Sequence, residues 1–238
     1  MKTEIYNLII LDESGSMDCV KKQTISGCNE TINTIRMAQE KYADTQLHYV
    51  SIFAFQSGSV PSRYIIKNEP IDNVGHITDK SYVPMGLTPL YDAVGATLAD
   101  LKSLTSDKKL AIGNVTIITD GMENASTRYS RQQVAKIIED LKQKGWSFNF
   151  IGANIDVKET AASLNIDNSL EFEQDEQGTQ MMFERERRSR MMWMNRADNV
   201  MRCYVAAPDA SPDDLAEGLR EAAADYFADD DDDKNDKK

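Results

Sequence analysis

The sequence predicts an α/β fold, a largely parallel sheet with helices on both faces. Three observations carry that expectation. Nearly unbroken apolar runs, residues 5–11 and 115–119, suit strands covered on both faces, where neither side meets water. Segments of strand pattern alternate with segments of helical spacing along most of the chain. Both apolar runs stop at an aspartate, Asp12 and Asp120, each followed by a glycine-containing turn. In open sheets of this class, ligands bind beyond the carboxyl ends of the strands.

Taken in order, residues 5–11 form the first strand, interrupted in polarity by Asn7 alone. Residues 19–42 place Ile25, Cys28, Ile32, Ile35 and Met37 at helical spacing with polar residues between them. Residues 47–55 are rich in aromatic and branched side chains and read as a strand. Residues 63–67 read as its hairpin partner after the turn at 58–61. Residues 68–87, punctuated by Pro70, Gly75, Pro84 and Gly86, form a long connection. Leu90, Val94, Leu98, Leu101 and Leu104 stripe the next helix, and residues 115–119 the next strand. A helix over 132–144 closes at Gly145, then come a strand at 146–153, a short helix at 157–164 and a short edge strand at 170–172.

Beyond Phe172 the composition changes. Residues 178–199 carry Met181, Met182, Met191, Met192 and Met194 among several arginines and read as one irregular amphipathic helix. Packing is the simplest use of those methionines, although such a cluster also makes an adaptable binding surface. Glu184 and Glu186 interleave with the arginines at 185, 187, 188 and 190, which argues against a nucleic-acid groove. Ser211 before Pro212, Asp213 and Asp214 is a helix start, with capping serine, first-turn proline and acids at the positive end of the dipole. Residues 229–238 contain no apolar side chain, and disorder is expected there.

A chain of 238 residues suffices for a well-buried core. Its net charge of −12, with only three of those charges from the acidic tail, disfavours attraction to nucleic acid or anionic membranes. Three cysteines, Cys19, Cys28 and Cys203, with no paired spacing and no leader, point to reduced thiols and a cytoplasmic location. The first apolar run is too short for a membrane span. His48 and His76 have no ligand spacing and are expected to be structural or exposed.

The chemistry concentrates at three places. In Asp12-Glu13-Ser14-Gly15-Ser16 every second residue carries an oxygen, and Gly15 lets the backbone curl around a ligand. Thr88 lies in GLTPLYDAVG and Asp120 in TDGMEN. Carboxylates and hydroxyls are hard ligands, suited to Mg²⁺, Mn²⁺ or Ca²⁺ rather than zinc, and the short spacing favours Mg²⁺. Two acids held together at strand ends need a cation or a shared proton. The bland alternatives are a turn with an N-cap for the serines, a helix start for Thr88, a first-turn acid for Asp92, and solvent exposure for Glu13 and Glu123.

In that order and context the motif resembles the von Willebrand factor A (vWA) family, whose metal-ion-dependent adhesion site (MIDAS) combines a D-x-S-x-S loop with a distant threonine and a distant aspartate. Asp12, Ser14, Ser16, Thr88 and Asp120 match all five positions. The resemblance covers about residues 4–172 and extends to about 195. It implies a Rossmann-like, mostly parallel six-stranded sheet with residues 63–67 as one antiparallel edge strand. The expected organisation is a vWA domain at 1–195, a helical extension at 196–228 and a tail at 229–238.

The resemblance also implies roles. Ser14 and Ser16 would contact the metal directly, Thr88 would join when a ligand binds, and Asp12 and Asp120 would act mainly through waters. The expected function is Mg²⁺-dependent binding of a partner's Asp or Glu, without catalysis. Intracellular members of the family often partner an AAA+ ATPase in chelatase-like or tellurium-resistance-type stress systems, and such a partner is an expectation here. The alternatives are a metal-dependent hydrolase or phosphatase using Asp12, and a structural assembly component. The phosphatase needs a carboxylate two residues after Asp12, where this chain has Ser14, and no GxSxG elbow supports a serine hydrolase.

Overall fold

The computed structural model describes residues 2–108, 110–207 and 209–228, so the tail expected at 229–238 lies outside the described residues. Six strands, β1 (Thr3–Asp12), β2 (Gln46–Phe55), β3 (Arg63–Pro70), β4 (Ala111–Thr119), β5 (Ser147–Gly152) and β6 (Asn168–Glu171), form one sheet. Their order is β3-β2-β1-β4-β5-β6. All neighbours run parallel except β2 and β3, so the expected antiparallel edge strand is present.

The period-two alternation of each strand sorts its side chains between two helical layers. Ile5, Ile9 and Leu11 of β1 join a core with α1 (Lys21–Lys41), α5 (Glu176–Ala206) and α6 (Pro212–Ala223). Tyr6, Leu8 and Ile10 face the other way, against α2 (Leu90–Thr105), α3 (Arg131–Lys142) and α4 (Val157–Ser163). Gly145, at φ +82°, closes the α3 turn as expected. Ser211 caps α6 by accepting the Asp214 N–H, and its own N–H donates to the Asp214 carboxylate. Met37, expected on the buried stripe of α1, is instead 61% exposed. It follows Ile35 by two positions, which turns it about 200° around the helix and away from the sheet.

The helix expected at 178–199 is longer and unbroken. Its buried face continues from Met194 through Ala197 to Met201, so a boundary at 195 falls inside α5. Its arginines serve the fold: Arg185 donates to Phe227 O, Arg187 pairs with Glu30, and Arg190 is fully buried. α5 meets α1 where Gly27 removes a side chain; a Cβ there would sit 2.1 Å from the Phe183 ring.

On this face the alternation places polar residues in a buried band across the sheet: His48 on β2, Asn7 on β1, Asn114 and Thr116 on β4, and Asn149 on β5. Arg190 lies over the band. It donates to Glu186 at 2.5 and 2.8 Å, to Asn7 Oδ1 at 3.0 Å and to Thr116 Oγ1 at 2.9 Å. Asn149 donates to Asn114, which donates to the Tyr226 hydroxyl. The apolar contacts of α5 supply most of its binding energy, and the polar bonds fix its register.

Arg190→Ala should therefore destabilise the protein by about 3–5 kcal/mol, because it strands a buried carboxylate. Urea unfolding measures this, and replacing both Glu186 and Arg190 by apolar residues should recover much of the loss; a single-variant cost under about 1 kcal/mol would contradict the assignment. His48 yields a second expectation. Burial, reinforced by the charge of Arg190, lowers its pKa to about 3. The unfolded chain takes up this proton near its ordinary value, about 6.5, whereas the fold refuses it down to about 3. Stability should thus fall as pH drops through that window, and His48→Gln should flatten the fall between pH 7 and 4.5; identical slopes would refute it.

Candidate metal centre

The site forms where the strand order reverses. β1 and β4 are neighbours at the middle of the sheet, with Leu11 opposite Ile118, and their connections leave in opposite directions. Asp12 ends β1 and Asp120 follows β4 directly, so the pairing brings the two carboxylates to one edge. Asp12 is fully buried. Its Oδ1 accepts the Ser14 N–H at 2.7 Å and its Oδ2 the Thr119 hydroxyl at 2.6 Å, while Tyr82 donates to its main-chain oxygen at 2.6 Å.

Ser14 directly precedes the 3₁₀ helix Gly15–Val20, but its hydroxyl makes no capping bond there. It lies 3.2 Å from Ser16 Oγ instead, and Ser16 donates to Asp120 Oδ1 at 2.9 Å. The capping alternative for Ser14 is thereby replaced by a chain of oxygens from Ser14 through Ser16 to Asp120. Thr88 is buried beside them: its hydroxyl oxygen is 3.5 Å from where a Cβ on Gly121 would stand. The Thr88 backbone bonds reciprocally with Asn124, through the Asn124 side chain at 2.8 Å and its N–H at 3.2 Å. Three loops, distant in sequence, thus bring together Asp12, Ser14, Ser16, Thr88 and Asp120.

Several residues that hold this geometry have a different role from the one expected. Glu13, expected in solvent, is fully buried and binds Arg63 through both oxygens, at 2.6 and 3.0 Å. It also accepts the Val83 N–H at 2.5 Å and the Gln56 amide at 3.0 Å, so it anchors the loop that delivers Thr88. Glu123 is half-buried and accepts the N–H groups of Tyr91, Ala125 and Ser126. Asp92 accepts three successive N–H groups, from Thr127, Arg128 and Tyr129; burial opposes its ionisation, and these bonds outweigh burial and lower its pKa. The glycine that the site requires is Gly86. It has φ +71°, and a Cβ on it would meet the Gly58 nitrogen at 2.4 Å, whereas Gly15 is outside the left-handed region.

Gln174, in the turn between β6 and α5, gave no signal in the sequence. Its amide donates to Asp120 Oδ2 and, at 2.9 Å, to Ser16 O.

The hydrogen bonds received by Asp12 and Asp120 all come from neutral groups. Burial raises the Asp12 pKa to about 6 despite those bonds, and the Asp120 charge adds to the rise. Burial likewise raises that of Asp120. Two adjacent carboxylates lacking cationic donors, ringed by three hydroxyls, fit a hard divalent cation. Among the described residues no three His, Cys, Asp or Glu side chains gather to hold a metal, so a cation site here depends on hydroxyl oxygens. The histidines stand apart: His48 is in the core and His76 is exposed.

No family model and no curated protein matches the sequence. Solved structures do share its fold. One is the D319A mutant of the PilB minor pilin of Streptococcus sanguinis, at 15% identity and TM-score 0.56, covering 87% of this chain and 64% of the pilin. Another is the pilus adhesin SpaC of Lactobacillus rhamnosus GG, at 11% identity and TM-score 0.58, covering 81% of this chain and 31% of SpaC. A third is proximal thread matrix protein 1 of the mussel byssus with a zinc-occupied MIDAS motif, at 12% identity and TM-score 0.52, covering 77% of this chain and 47% of that one. The chain thus spans less than two thirds of each. The sheet order and these likenesses define a Rossmann-like, mostly parallel α/β fold. No described helix is long and apolar enough to cross a membrane.

Glu13→Ala should loosen the 78–88 loop and cost about 2–3 kcal/mol, the range for losing hydrogen bonds to a buried charge. Limited proteolysis should cut the variant within that loop under conditions that spare the parent; equal resistance would show that Glu13 is not the anchor.

Proposed function

We propose that this chain is a divalent-cation-dependent protein-binding module. Ser14, Ser16, Thr88, Asp12 and Asp120 hold the ion, and the bound ion receives a carboxylate from a partner protein. The observation that carries this reading is the convergence of two buried carboxylates and three hydroxyls at the carboxyl ends of β1 and β4, without a cationic side chain bonded to either acid. Mg²⁺ is the preferred occupant, since the donors are hard oxygens in a short, rigid loop and Mg²⁺ keeps several waters. When bound, it supplies positive charge and an open ligand position.

The residues divide the work. The carboxylates of Asp12 and Asp120 supply two negative charges, which a dication balances, so a partner's Asp or Glu enters without facing excess negative charge. The Thr119 hydroxyl and Ser14 N–H fix the Asp12 rotamer, and the Glu13–Arg63 pair fixes the threonine loop. The same fold bears a zinc-occupied MIDAS in the mussel protein, which supports occupancy by a divalent ion. Binding without turnover is favoured because no histidine lies at the site and position 14 carries a hydroxyl where phosphoryl transfer through Asp12 would need an acid.

Isothermal calorimetry should show Mg²⁺ binding that Asp12→Ala abolishes, together with magnesium-dependent capture of a carboxylate-presenting partner that EDTA reverses. Unchanged Mg²⁺ affinity in the variant would end the proposal.

A further inference from the structure

We infer that Gln174 is an internal competitor at this site, a clasp that sets the affinity for the cation by occupying Asp120. The inference rests on the cation-site reading above and adds a residue that lies outside the five-residue motif.

Every polar atom of the Gln174 side chain is engaged. The amide nitrogen has two hydrogens and two acceptors, Asp120 Oδ2 and the Ser16 main-chain oxygen at 2.9 Å. The amide oxygen accepts from Asn154 Nδ2. Asn154 holds a left-handed conformation, φ +58°, in the turn directly after β5. The clasp therefore links the loops after β1, β4, β5 and β6 across the top of the site.

Its effect falls on Asp120. With Ser16 on Oδ1 and Gln174 on Oδ2, both oxygens of that carboxylate already accept hydrogen bonds. A neutral amide supplies partial positive charge where the acid would otherwise face only Asp12 and the serines. This stabilises the acidic pair without a cation. Gln174 takes a lone-pair position on Oδ2, so a cation or bound water that uses that position displaces it, and the lost charge-assisted bond is subtracted from the affinity.

The test is Mg²⁺ calorimetry on the full chain, comparing the parent with Gln174→Ala, Asn154→Ala and Asp12→Ala, alongside thermal melts in EDTA and in saturating Mg²⁺. Gln174 is partly exposed in a turn, so its truncation leaves the core intact. Gln174→Ala should bind Mg²⁺ about tenfold tighter, as expected when a charge-assisted bond no longer competes. Asn154→Ala, which frees the far end of the clasp, should shift affinity the same way by less. Gln174→Ala should also melt lower than the parent in EDTA and level with it in Mg²⁺. Parent binding that Gln174→Ala leaves unchanged or weakens, with Asp12→Ala silent, would overturn the clasp and leave the cation site standing. Silence in every protein, Gln174→Ala included, would overturn both.

Discussion

The pairing of β1 with β4 is the constraint on which the rest of the site depends. Parallel strands in register bring Leu11 opposite Ile118, so the residues just beyond them, Asp12 with Thr119 and then Asp120, share one sheet edge. That register is fixed by burial on both faces: a slip of one residue would turn Leu8 and Ile10 into the opposite layer and bring Asn7 out of the polar band. The cost is two acids close together in a water-poor place, visible in the raised pKa values of both. The surrounding loops reduce that cost with hydroxyl and backbone donors, and each donor needs its own support. Tyr82, fully buried, holds the Asp12 main chain, and the Glu13–Arg63 pair holds the segment beside Tyr82.

The opposite constraint sits under α5. A sheet face carrying His48, Asn7, Asn114, Thr116 and Asn149 cannot be covered by an apolar helix without orphaning those groups. Arg190 and Glu186 satisfy part of the band and in doing so set the rotation of α5, because one residue of rotation would carry the guanidinium about 100° away. The close approach at Gly27 and Phe183 sets its height on α1. Asp175 caps α5 by accepting the Gly178 N–H, so the register of the helix determines where its first turn begins. Gln174 is the residue immediately before that cap. The buried ion pair thus lies within α5, and the contact to Asp120 comes from the residue just before the cap of that helix.

The strands, their alternation with helices and the five-residue motif were legible because each is local or follows an ordered pattern. An apolar run ending in aspartate shows on the page, and so does D-x-S-x-S. Glu13 was not legible: its neighbours in sequence are polar, and only the return of Arg63 on β3 and of the 81–83 segment encloses it. Arg190 was hidden among alternating arginines and glutamates, whose pattern resembles a solvated helix face. Its acceptors come from β1, β4 and its own helix. The polar band follows the same logic, contributing one or two residues per strand and becoming a feature only when four strands align. Asp92 matched a dipole-stabilising acid in position, but its oxygens accept from the 127–129 backbone, a contact set by tertiary structure.

The donor set also bears on the recognition proposed for this site. Three or more carboxylates around a dication would leave a net negative centre, and an incoming carboxylate would meet repulsion that grows in a low-dielectric hollow. Here hydroxyls stand where further acids could have been, and the remaining nearby acids are committed elsewhere: Glu13 to Arg63, Glu123 and Asp92 to backbone N–H groups. The charge available at the centre is thus held to two. A dication balanced by two acids would be close to neutral, so on the proposed reading the affinity for an anionic partner would depend on the open position and the neighbouring loops rather than on bulk attraction. For a chain with a net charge of −12, long-range attraction of an acidic partner is unfavourable, so the carboxylate recognition proposed for this site would act at short range.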